Sequence, residues 1–148
     1  MNPRATVGGV VLIATILFAL APLYRGGPEP STPVHHLLHA LMIAGAAFSG
    51  ILFAGSHPYG RPGVLWLLLA IVAPLLAMLL MWPSEYVYFE THRYGHLAEH
   101  AGLMLCGFAT GYAGQRYANG IGWAAGISVV AMAILAIWGY GVAPATLR

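Results

Sequence analysis

At 148 residues, 59% hydrophobic and 7% charged, with a mean hydropathy of +0.77, the chain has too little polar surface to cover a globule in water. Its net charge of +2 comes from six arginines against four glutamates, too little and too dispersed to suggest nucleic acid. A lone Cys106 inside an apolar run excludes a disulfide framework. What remains is an all-α integral membrane protein, a single domain over residues 1–148, with the lipid bilayer as its first partner.

Taken in order, the first apolar run covers residues 7–23 and follows Arg4. About 17 residues is the short end of the spanning range, and a charged start before an apolar stretch also describes a signal peptide. Ala19-Leu20-Ala21 has the small-x-small form of a cleavage site, but Pro22 would follow the cut, so the run is read as the first transmembrane helix. Thr32-Pro33 then reads as a hydroxyl cap before a proline at the first helical position, opening a second helix to about residue 55. A third runs over residues 62–82 with a kink expected at Pro74. Tyr86, Tyr88, Phe89 and Trp82 suit a membrane interface. The fourth helix is expected over residues 92–116 and the fifth over 121–140, which makes a bundle of about five transmembrane helices. Gly45, Gly50, Gly107, Gly111, Gly114, Gly122 and Gly126 favour close helix packing.

Five alternating spans put the end of helix one, the start of two, the end of three and the start of four on one side. The chemistry-bearing residues collect there. His92, His96 and His100 step by about 400° each, a stripe that drifts about 40° per step and continues to Met104. In the second helix His35, His36 and His39 are followed by Met42. His39 and His100 lie roughly 9–12 Å from their helix starts, the equal depth that a shared ligand requires. Glu99 accompanies them, whereas His57 falls in a loop on the other side. Arginines divide evenly between the two sides, so the positive-inside rule does not choose; all four glutamates fall on the histidine side, which places that side outside a prokaryotic cytoplasmic membrane.

Ionisable groups at membrane depth are costly, and their presence is by default a functional hypothesis. The metal candidates are His35, His36, His39, Met42, His92, His96, Glu99, His100 and Met104, with Met78 and Met81 nearby. Copper suits imidazole with thioether. Haem b would take one histidine from each facing helix, His39 and His100, with glycine faces making room for the porphyrin. Zinc with His96, Glu99, His100 and a histidine of helix two is the third. Against all three stands a purely structural clamp, in which the histidines and Glu99 only hydrogen-bond helices together.

The segments HHLLHALM and HLAEHAGLM, each opening a membrane helix, resemble the histidine-bearing helices of CtaG-like membrane proteins linked to cytochrome c oxidase assembly. The resemblance implies copper delivery for a haem–copper oxidase, with His35, His39, His96 and His100 as ligands. An assembly factor or accessory subunit of the respiratory chain is thus the first expectation, not an enzyme by itself. A small b-type cytochrome carrying electrons between quinone and an acceptor is the second, and a structural membrane subunit the third.

Overall fold

Long apolar runs rich in leucine, alanine, isoleucine and valine satisfy their backbone amides most simply as helix. The computed structural model describes residues 3–25, 32–55, 63–82, 85, 88–89, 92–118 and 126–127. Among these stand four helices, α1 (Pro3–Arg25), α2 (Thr32–Ala54), α3 (Val64–Leu80) and α4 (Arg93–Tyr117). Two of them are long and apolar enough to cross a membrane, α1 over Pro3–Leu20 and α2 over Leu37–Ala54; α3 is a shorter apolar helix. The fifth helix expected from the sequence lies outside the described residues apart from 126 and 127, where Gly126 sits near the Ala47 side chain of α2.

The helix ends follow local chemistry. Helix α2 stops at Gly55, whose φ of 69° is the left-handed conformation glycine adopts without a Cβ penalty, and its amide donates back to the Ile51 carbonyl. Gln115 Nε2 donates to the Gly55 carbonyl at 3.3 Å and so ties the end of α4 to the end of α2. In α3 the ring of Pro74 withdraws a backbone donor from the Ala70 carbonyl.

Contact registers give the direction of each helix. A Cβ on Gly107 would meet the Ile43 carbonyl oxygen at 2.7 Å, and one on Gly111 would strike the Ala47 carbonyl oxygen. Both pairs share one offset, so α2 and α4 run parallel with their backbones touching. Gly50 faces the Phe108 carbonyl and the Tyr112 amide in the same seam. Gly8 lies against Ser49 and Leu52, and Thr15 against Gly45, so α1 is antiparallel to α2. The Ser49 hydroxyl donates to the Gly8 carbonyl at 2.7 Å across that contact. Leu80 sits over Gly102 while Trp66 stacks near Tyr112, so α3 is antiparallel to α4. The end of α1 and the starts of α2 and α4 therefore meet at one end of the bundle, joined by the end of α3.

Beneath that end, Ile43, Ala77, Leu103 and Cys106 form the core, with Leu80 and Met81 packed on it. At the far end the Arg116 guanidinium lies 6.0 Å from the Trp66 ring. Helix α3 buries only Ala70, Ala73 and Ala77 and exposes most of its leucines, among them Leu65 at 71%.

Candidate metal centre

An i, i+4 pair of histidines on one helix puts two imidazoles on the same face one turn apart. Helix α2 supplies His35 and His39, helix α4 supplies His96 and His100, and the parallel packing of the two brings the pairs face to face. One ligand nitrogen from each of the four lies within 4.8 Å of the others. The ring centroids form a quadrilateral with sides of 4.4 Å (His35 to His39), 4.8 Å (His39 to His100), 4.3 Å (His100 to His96) and 4.9 Å (His96 to His35). Its diagonals are 6.0 and 6.1 Å, and rings that share a side stand at 73–84° to each other. Such an array can bind a metal ion or haem.

His100 is the best-anchored corner. Its Nδ1–H donates to the Ala19 carbonyl of α1 at 3.2 Å, since a carbonyl can only accept. In the neutral ring this leaves the lone pair on Nε2, directed into the quadrilateral. His39 Nε2 lies 2.9 Å from that atom and His96 Nε2 2.7 Å from it. A backbone carbonyl behind a histidine is the usual device that fixes tautomer and ring orientation for a metal ligand. His35, His39 and His100 are buried, and His96 is half-buried.

The remaining candidates stand around this array. Glu99 is fully buried, next to His100 in the chain, and is not among the four mutually close ligands. Met42 belongs to the buried interior, one turn below His39. Met104 and His100 share a cavity of about 370 Å³ between α1 and α4, lined otherwise by residues such as Leu12, Ile16 and Leu97. His92 is exposed at the start of α4, outside the quadrilateral, with its ring stacked on Tyr88 at 4.4 Å. Met78 is exposed on α3, and Met81 packs on the core. His57 and the side chain of His36 lie outside the described residues. The glycines expected to make room for a porphyrin instead accept the backbone of the opposite helix at Ile43, Ala47 and Phe108. The residue that sequence reasoning missed is Ala19: its contribution is a main-chain oxygen, which any side chain could have carried.

The chain matches no family model, no curated protein and no solved structure.

Proposed function

We propose that the chain is an integral membrane protein of five helices that holds one copper ion on His35, His39, His96 and His100, serving a haem–copper oxidase as a copper-handling assembly factor or accessory subunit. The observation that carries the copper reading is the spacing of the imidazoles. Two nitrogens at about 2.0 Å from an ion lie about 2.8 Å apart at a right angle and about 3.3 Å apart at a tetrahedral one. The contacts of 2.9 and 2.7 Å around His100 Nε2 match the right angle. Diagonals longer than every side, 6.0 and 6.1 Å against 4.3–4.9 Å, likewise suit a square more than a tetrahedron, whose six separations would be equal. Four nitrogens in a tetragonal array are the preference of copper(II) or nickel(II), and copper stands higher in the affinity order. Zinc favours the tetrahedron.

A hydrogen-bonded clamp explains the same contacts less well. His100 Nε2 has one lone pair, and a clamp would need two Nε2–H groups, of His39 and His96, to converge on it. An ion would instead receive one lone pair from each ring. Haem b is disfavoured by the same packing: imidazoles on opposite faces of its iron would hold their nitrogens about 4 Å apart with the porphyrin plane between them. His39 and His100 meet at 2.9 Å, and α2 touches α4 backbone to backbone at Ile43 and Gly107. Glu99 supplies a carboxylate in the same buried layer, and burial of a cation needs such compensation.

The membrane reading is supported by α1 and α3, which turn their large side chains outward. Val10, Leu17, Leu65 and Leu79 are between 59% and 71% exposed while alanines fill the interior, a distribution suited to lipid. The glutamates on the histidine side support an outward-facing centre, and the oxidase role rests on the resemblance of HHLLHALM and HLAEHAGLM to CtaG-like proteins.

Copper(II) titrated into the purified protein is expected to bind one to one and to give an axial electron paramagnetic resonance spectrum split by nitrogen ligands. A tetrahedral signature, a Soret band, or no retained metal would each sink the copper centre. Cells without the chain are expected to show reduced copper in their haem–copper oxidase; normal copper loading would remove the assembly role.

A further inference from the structure

Among the four histidines of the centre, His96 is the most open. His39 is fully buried, His35 and His100 are each 6% exposed, and only His96 is partly open to the outside. Of the four, His96 is thus the imidazole that an ion arriving from outside finds most accessible. One turn earlier on α4, about 5–6 Å along the axis, stands the exposed imidazole of His92, on the stripe that runs through His96 to His100.

His92 is held rather than merely solvated. Its Nδ1–H donates to the Tyr88 carbonyl at 2.8 Å, and its ring stacks on the Tyr88 ring at 4.4 Å with 26° between the planes. Its own amide donates to the Phe89 carbonyl at 3.1 Å. The carbonyl behind Nδ1 leaves the lone pair on Nε2, as Ala19 does for His100, so the two rings share the orientation device common among metal-binding histidines. His92 also occupies the cap position of α4 without making a side-chain cap bond.

We infer that His92 is the outer docking ligand of the centre: it takes a copper(II) ion from solution and passes it to His96, whence it enters the square. The inference rests on the copper reading of that centre. The transfer is ligand exchange. One water leaves the hydrated ion when His92 Nε2 binds; further waters leave as His96 and then His100, His39 and His35 bind; the His92 bond breaks as the set closes, and no electron moves. The advantage is kinetic, because an ion already held one turn away reaches His96 as an intramolecular partner.

The test is stopped-flow loading of the full chain in detergent with copper(II) alone, on the wild type, His92→Asn and His96→Ala. Asparagine is a good helix cap and a poor copper ligand, so His92→Asn keeps the start of α4 intact. Loading of His92→Asn is expected to slow by about tenfold while the bound ratio and equilibrium affinity stay at the wild-type level. His96→Ala is expected to lose affinity itself. Wild-type loading rates in His92→Asn would overturn the docking role, and so would a fall in affinity like that of His96→Ala, which would place His92 inside the centre. Failure of the wild type to bind copper at all would overturn the centre, a result distinct from both.

Discussion

His100 answers to three elements at once: it grows from α4, contacts His39 of α2, and donates to Ala19 of α1. Losing it should therefore cost more than one ligand bond. His39→Ala and His100→Ala are each expected to reduce copper affinity by more than the 10–100-fold typical for loss of a supporting partner. His57→Ala is expected to leave it unchanged; a copper-to-protein ratio alike in all three variants would refute the ligand assignment. In the proposed centre a divalent ion among neutral imidazoles would put two positive charges in a buried layer, and the Glu99 carboxylate would offset part of them. Glu99→Gln keeps the shape and removes the charge, and a competition titration is expected to show copper(II) bound about tenfold more weakly. At this scale the four-residue steps made the histidine stripe legible, whereas which of the nine candidates come together was not. Met42 and Glu99 sit only a turn or less from corners of the histidine quadrilateral, and packing decides which side chains meet.

At the scale of elements, the α2–α4 seam holds the centre together from a distance. Gly111 lies about 16 Å along the helix from His100, yet any side chain there meets the Ala47 backbone. Gly111→Leu is expected to destabilise the fold by about 1–3 kcal/mol and to lower copper retention without touching a ligand. Thermal unfolding in detergent, read beside metal content, checks both halves; retained copper with a lowered melting temperature would show that the histidine pairs do not depend on this seam. Helix boundaries were readable from local chemistry: α4 begins within a residue of the expected start, and α2 opens at Thr32 and stops before Gly55. The use of the glycines was not readable. Small residues announce close approach, but whether a neighbouring helix or a cofactor fills the space depends on which helix arrives, a tertiary fact that composition does not hold.

For the molecule as a whole, alternating direction is the property on which the site depends, and it followed from the number of spans before the centre. It places the starts of α2 and α4 together at one end of the bundle. Orientation is a separate matter, since the arginines balance. A Tyr94→Cys variant places a thiol at an 85% exposed position on the histidine end, while Cys106 is buried. A membrane-impermeant maleimide is expected to label it in intact cells; labelling only after lysis would put the centre on the inside. The chain is also expected to stay with the membrane fraction through alkaline carbonate extraction, as release there would contradict the spanning helices.

The seam two turns below His100 has a mechanical side. Gly107 and Ile43 press main chain to main chain roughly 10 Å below the level of His100, so the two helices can splay above that point only by tilting about it, like the arms of tweezers above their joint. Over that lever arm a tilt of roughly 5° opens the grip by about 1 Å, enough to loosen a square of nitrogens while the joint stays shut.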